Sequence, residues 1–464
     1  MIPFGCLLLI VRCCVADEKE SVRMKGVTIV AAKAREVLDS KARPMVEVDV
    51  WTSEGVMGRG SSPCGTSVGR HEAVVLRDGG TRYGGLGVRQ AVRNVQEVIF
   101  PAIKGESILD QRRLDDRMIE LDGTPNKARL GANAIYSMSV AVARAAAASV
   151  RQPLFRYLGG EGARCLPVPM FNVVNGGTYG VVRMEIQEFL LIPVGAETYA
   201  EAQRMGVETF AALDMILERR YGKERLGSGS YAGHAAPTNE PSEVLDCVLD
   251  AVRVAGYEGT CRLGLDCASS HFFDSQGGFY RFQGREATRE DLIRYFEALS
   301  ASYNLLLIED PLEEDDFEGF AEITKRISSH VIGDDFFVNN LERLKRGVAV
   351  KAASGMVLKP NMVGTISEAL TAARYAADHG YVVVGSCRAG GTVDDPIPEV
   401  SVAAGATLVK LGAPRTGERV NLQNCLLRVE EELGPSAIFA GSRVANPNTG
   451  LPVPLRAGHA EQSA

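Results

Sequence analysis

Short apolar runs that end on polar or charged residues recur through the second half of the chain. Leu305–Ile308 is unbroken apolar and stops at Glu309 and Asp310, within the stretch LLLIEDP. Arg262–Asp266 (RLGLD) ends on Asp266, and Val331–Asp335 (VIGDD) ends on paired acids, Asp334 first. Met356–Lys359 (MVLK) and Ala406–Lys410 (ATLVK) end on lysines, and Tyr381–Ser386 (YVVVGS) runs into Cys387 and Arg388. Runs without alternation suit strands buried on both faces, as in a parallel sheet. Between them Thr288–Leu299, Phe317–Ser328, Thr365–His379 and Ile397–Ala404 carry helical spacing. Strand–helix alternation predicts crossover units and a parallel sheet. Charged residues at the C-terminal ends of successive strands predict an α/β fold of the (β/α)8-type barrel, whose active sites lie on that face. A doubly wound sheet, the alternative, would gather its polar residues at one switch point.

The first part of the chain is patterned differently. Pro44–Thr52 (PMVEVDVWT) alternates apolar and polar residues, which predicts a half-buried strand. Ser61–Gly69 (SSPCGTSVG) reads as a loop of small residues, and Asn126–Val150 as a helix with an Ala-rich half suited to close packing. A smaller α+β domain over 24–164 is therefore expected ahead of a barrel domain over 165–441. Leu166–Gly177 is read as the connection into the barrel. Met184–Pro193 (MEIQEFLLIP) predicts a strand with Gln187 and Glu188 inside an apolar run. Thr198–Arg220 predicts a long amphipathic helix, Gly227–Asn239 a second glycine-rich loop, and 442–464 a loosely ordered tail.

Composition narrows the class. With 464 residues, 45% hydrophobic and 23% charged, the chain reads as a soluble globular protein of two domains. A net charge of −7 argues against nucleic acid or an anionic membrane as main partner. It leaves room for a small anion, because local lysines reverse the field inside a cleft. Ten cysteines without a CxxC pair predict reduced thiols in a cytoplasmic enzyme. Residues 1–23 form an N-terminal extension. Met1–Ala16 is apolar enough to resemble a short signal segment, which would make the protein secreted or targeted, but it lacks a basic start and Arg12 interrupts it. It is too short to span a bilayer as a helix.

The strand ends carry the candidate chemistry. Asp266, Glu309 and Asp334 close three consecutive strands, so their carboxylates should converge and repel unless a cation holds them. Oxygen-only ligands select a hard ion, and Mg²⁺ suits a site that keeps waters and a substrate oxygen. Lys359 and Lys410 lie further round. Each is either a salt-bridge partner of the acids or a lysine whose pKa nearby cations lower, so that a neutral amine removes a proton. Arg388 suits a phosphate or carboxylate. Glu188 suits an acid or a water-orienting group, and Ser67 an oxygen on a mobile loop that closes over a second metal.

These residues sit in stretches that resemble the enolase family from about Val27 to Gly441: VLDSKARPMVEV, LDGTPNKARLGANAI, FNVVNGG, QEFLLIPVGA, LDCASS, IEDPLEEDD, GDDFFV, LKPNMVGTISE, KLGAPRTGER and LLRVEEELG. The resemblance implies an α+β domain on an α/β barrel, a homodimer, and Mg²⁺-dependent interconversion of 2-phosphoglycerate and phosphoenolpyruvate in glycolysis. It implies Asp266, Glu309 and Asp334 as ligands of the first Mg²⁺, and Lys359 as the base beside the substrate carboxylate. Lys410 and Arg388 become substrate-anion contacts, Glu188 one of two catalytic glutamates, and Ser67 the loop serine on the second metal. The pairing of a lysine base with Mg²⁺ is the known pattern of enolase-type sites rather than a deduction from spacing.

The chain also departs from the family pattern. Gly229-Ser230-Tyr231-Ala232-Gly233 stands where the family has Gly-Asp-Glu-Gly-Gly, so Tyr231 replaces the glutamate that helps expel hydroxide. A phenol with a pKa near ~10 is a poor proton donor at neutral pH. Tyr179 replaces one histidine, and Ser386-Cys387-Arg388-Ala389 replaces Ser-His-Arg-Ser, losing a second histidine and a phosphate-binding serine. Lys41-Ala42-Arg43 replaces Arg-Gly-Asn. His234 is either a substitute acid or a loop histidine without a role. Cys387 is either a low-pKa thiol beside Arg388 or a neutral replacement. The expectation is weak or restricted turnover. The alternatives are a non-catalytic binding protein on the same fold and an enzyme acting on another carboxylate.

Overall fold

The computed structural model of the chain describes residues 26–66, 68–177, 183–223, 227–229 and 231–445. Two hydrophobic cores organise it. The first lies under an antiparallel sheet of β1 (Ile29–Leu38), β2 (Pro44–Thr52) and β3 (Met57–Ser61), in that order. The alternation read in 44–52 places Val46, Val48 and Val50 inward, where they are fully buried. Glu47 and Asp49 face the other way and pair with Arg35 and Arg59. The two longer helices of this domain are α1 (Gln111–Asp122) and α2 (Ala132–Ser149), beside short helices at Arg89–Asn94 and Phe100–Ile103.

Helix α2 is shorter than its pattern predicts. Lys127 and Gly131 take positive φ values of 58° and 95°, which end helical geometry before Ala132. Asp122 holds this stretch as a loop, accepting N–H bonds from Thr124 at 3.0 Å and Leu130 at 2.6 Å. The Ala-rich half of α2 packs flush against β3. A Cβ on Gly60 would lie 2.3 Å from the Ser137 carbonyl oxygen and 2.6 Å from the Ala141 nitrogen. Gly60→Ala should therefore lower stability by about 1–3 kcal/mol through overpacking, read as the denaturant midpoint.

The second core is a barrel of β4 (Val168–Asn175), β5 (Glu188–Ile192), β6 (Arg262–Asp266), β7 (Leu307–Glu309), β8 (His330–Gly333), β9 (Gly355–Leu358), β10 (Val382–Ser386) and β11 (Leu408–Lys410). Pairing of β11 with β4 closes it, and the two-residue strand His234–Ala235 lies along β4. The stretch expected as a connection, 166–177, is thus the first barrel strand. A second correction concerns direction. Strand β5 runs antiparallel to both β4 and β6, whereas the remaining neighbours pair in parallel. An apolar run reads alike in both directions, so its pattern carries no orientation.

Outside the barrel lie α3 (Tyr199–Tyr221), α4 (Pro241–Val254), α5 (Arg289–Tyr303), α6 (Phe317–Arg326), α7 (Leu341–Val350), α8 (Ile366–Asp378), α9 (Ile397–Ala403) and α10 (Gly417–Leu433). Side chains of Thr198, Thr288, Asp316, Asn340 and Thr365 cap α3, α5, α6, α7 and α8, which fixes where each begins. A short helix, Gly441–Ala445, spans the expected start of the tail at 442. The rest of that tail and the 1–23 extension lie outside the described residues. No described helix is long and apolar enough to cross a membrane.

Candidate active site

The reversed strand matters for chemistry. Because β5 runs backwards, its first residue, Glu188, sits at the same mouth as the last residues of its neighbours. Glu188 stands in register with Asp266, and Asp266 with Glu309. Lys410, at the end of β11, reaches into this row. Its Nζ lies 2.8 Å from both Glu309 oxygens, 2.9 Å from Asp266 Oδ2 and 3.0 Å from Glu188 Oε2. All four residues are buried. Burial pulls the Lys410 pKa down, but Asp266, Glu188 and Glu309 outweigh it and hold the ammonium well above the usual lysine range. Burial pushes both glutamates up. Gln187 adds an amide N–H to Asp266 Oδ2 at 3.3 Å.

Asp334 and Lys359 form an adjoining buried ion pair. Burial opposes the charge on each. The Asp334 carboxylate nevertheless raises the Lys359 pKa, and Lys359 with Lys410 lowers that of Asp334. Asn339 braces this corner, accepting the Lys359 backbone N–H at 3.0 Å and donating to the Val357 carbonyl at 2.9 Å. The expectation that neighbouring cations lower the lysine pKa is therefore corrected. The acids dominate, and in this arrangement both lysines stay charged.

The acids do not gather around one point as expected. Among the described residues, the carboxylate trio whose oxygens lie within 4.8 Å of one another is Asp310, Asp334 and Asp335. Asp266 and Glu309 close on Lys410 instead, while Asp334 closes on Lys359. Asp310 is engaged as a brace: its oxygens accept the backbone N–H groups of Asp334 at 3.0 Å and Asp335 at 2.8 Å. Burial and the neighbouring acids push Asp310 and Asp335 far above the carboxylate range, as they do Glu309.

The donor set fits Mg²⁺. It is all oxygen, it is buried, and the Lys410 ammonium already holds a cation's place between three carboxylates. Asp334 Oδ1 is buried without a hydrogen-bond partner, an orphan that a bound cation would satisfy. Asp266, Glu309 and Asp334 are the residues that would hold such an ion.

The end of β10, between the two lysine strands, is built differently. Arg388 is buried and donates from its two terminal nitrogens to Glu72, at 2.9 and 3.0 Å. Arg419, fully buried, donates to Cys387 Sγ at 2.8 Å, to the Arg388 carbonyl at 3.0 Å and to the Ala389 carbonyl at 2.8 Å. Its guanidinium also covers the Tyr231 ring, 5.1 Å from the centroid, and Tyr231 packs on Ala389. Burial raises the Cys387 thiol despite Arg419, so the reading of Cys387 as a low-pKa thiol is corrected. His234 is buried, stacks on Phe210 and lies 3.0 Å from Asp214. Burial lowers its pKa to about 4, so it is neutral at pH 7 and packed against α3, poorly suited to donate a proton. Ser67 and Tyr179 lie outside the described residues.

A closed barrel, an adjoining α+β domain and a buried row of acids and lysines at one mouth are the arrangement in which barrel enzymes place their chemistry. Two family models match the chain: the enolase N-terminal domain over residues 29–158 and the enolase C-terminal TIM barrel domain over 163–448. The enolase of Methanocaldococcus jannaschii is 47% identical over 408 residues, covering 88% of this chain and 96% of its own. That of Methanopyrus kandleri is 47% identical over 415 residues, 89% and 97% of the two chains, and that of Corynebacterium kroppenstedtii 45% over 417, again 89% and 97%. The chain belongs to the enolase family, and is by that membership a lyase of the phosphopyruvate hydratase type.

Proposed function

We propose that the protein interconverts 2-phosphoglycerate and phosphoenolpyruvate with Mg²⁺, and that proton removal in it outruns hydroxide loss. The observation that carries the reading is the Lys410 ammonium seated within 3.0 Å of Glu188, Asp266 and Glu309, beside the Lys359–Asp334 pair. Lys359 removes the proton next to the carboxylate, and Lys410 and Arg388 hold the substrate anion. Asp266, Glu309 and Asp334 hold one Mg²⁺, and Ser67 belongs to a second. Mg²⁺, when bound, supplies positive charge beside the substrate carboxylate. With the acids engaged by a cation, Lys359 would give up its proton more easily. Glu188 serves proton handling on the other side. The same reading takes the domains as 24–164 and 165–441, and the protein as a cytoplasmic homodimer. Phosphoenolpyruvate formed with Mg²⁺ above a Lys359→Ala control supports it; none above that control contradicts it.

One observation favours a second reading. Where the family keeps an acidic glutamate and a phosphate-binding serine, this chain has the apolar Tyr231–Ala389 contact under Arg419. That wall suits a carboxylate substrate without a phosphate, or no turnover at all. A panel of non-phosphorylated carboxylic acids in deuterated water separates these outcomes.

Metal binding has its own test. Mg²⁺ at about 100 times its dissociation constant should stabilise the protein by roughly 2.7 kcal/mol, seen as a higher melting temperature. Asp334→Asn should remove most of that increment. An unchanged melting temperature in wild type at millimolar Mg²⁺ would count against the site.

A further inference from the structure

We infer that Glu72 is a positioning residue that sets the Arg388 guanidinium for the substrate anion and ties it to the backbone at Gly69. The anion in this statement rests on the enolase-type reading of the site; the tie does not. Glu72 comes from the α+β domain and Arg388 from the end of β10, so the pair joins the two domains at the mouth of the barrel. Both side chains are nearly shut off from solvent, at 3% and 4% exposure. Glu72 takes the end of the guanidinium in a two-point fork, with contacts of 2.9 and 3.0 Å. The fork fixes the plane of the guanidinium that a substrate anion would meet.

Glu72 is itself fixed on both sides. Its Oε1 accepts the Gly69 backbone N–H at 3.1 Å, and its own N–H donates to the Gly69 carbonyl at 3.2 Å. The next residue, Ala73, donates to the Met362 carbonyl at 2.8 Å, three positions beyond Lys359. Arg388 is held at its backbone by Arg419, and Glu72 forks its guanidinium. A buried ion pair adds little net stability over apolar packing, so its value here is orientation.

Glu72→Gln keeps the shape but turns an NH2 group toward a guanidinium N–H, which breaks the fork. The affinity for 2-phosphoglycerate with Mg²⁺, measured by calorimetry, should fall by about tenfold or more. The exchange rate at saturating substrate should fall less, and Glu72→Asp should recover part of the affinity. Hydrogen exchange at the Gly69 amide reads the tie without any ligand. It should speed up in Glu72→Gln and in Arg388→Ala alike, with no further increase in the double variant. Wild-type affinity in a folded Glu72→Gln protein, or additive exchange effects in the double variant, would overturn the inference. If wild type binds no 2-phosphoglycerate, the substrate reading fails, and the Gly69 exchange result still decides the tie.

Discussion

Lys359→Ala should reduce deuterium exchange at the carbon next to the substrate carboxylate by at least about 10²–10⁴-fold, the usual worth of a positioned general base. Lys359 and Asp334 form a buried pair, so the substitution also strands a carboxylate. Breaking such a pair costs roughly 3–5 kcal/mol where nothing replaces the lost charge. Melting curves with Mg²⁺ are therefore part of the measurement, since a bound cation compensates Asp334. The expected result is a folded protein that binds 2-phosphoglycerate and exchanges no hydrogen. Retained exchange would move the base role to another group, with Lys410 first in line because it shares the pocket.

The fourfold restoration Tyr231→Glu, Tyr179→His, Cys387→His and Ala389→Ser should raise phosphoenolpyruvate formation by about 10²–10⁴-fold while leaving exchange close to its starting rate. The asymmetry follows from where the changes fall. Tyr231, Cys387 and Ala389 all lie against Arg419, and Cys387 meets Lys410 at its backbone carbonyl, not at its ammonium. A glutamate at position 231 enters beside that buried guanidinium, which compensates its charge. The Cys387→His change is the strained one, because Cys387 is 1% exposed and backs onto Val409 and Leu411. Overpacking there costs about 1–3 kcal/mol, so a lowered melting temperature is expected with the gain in turnover. A restored variant that folds and still eliminates no faster would show that the lost acid and phosphate contacts are not what limits this protein.

Much of the site was legible because barrel strands are short and buried. A carboxylate or lysine that breaks such a run is conspicuous, and Asp266, Glu309, Asp334, Lys359 and Lys410 were found that way. Strand β2 followed from alternation, and α3, α5, α6 and α8 from helical spacing. The reversal of β5 was not legible, since EFLLI is apolar in either direction. Helices α1, α4, α7 and α10 went unread, although α7 begins after Asn340 and carries spaced leucines. Pairing was the harder part. That the acids would close on lysines depends on which charges outnumber which inside the barrel, and no spacing states it. Glu72 was missed because a lone acid beside a glycine-rich loop has no pattern of its own. It gains meaning only through Arg388, which lies 316 positions away along the chain.

Hydrogen exchange on 2-phosphoglycerate in deuterated water with Mg²⁺, followed beside phosphoenolpyruvate formation, bears most directly on the claim that one half of this pocket works and the other does not. Deuterium entering substrate faster than phosphoenolpyruvate appears is the result this account requires. No deuterium above the Lys359→Ala background, or elimination keeping pace with exchange in the unaltered protein, would contradict it.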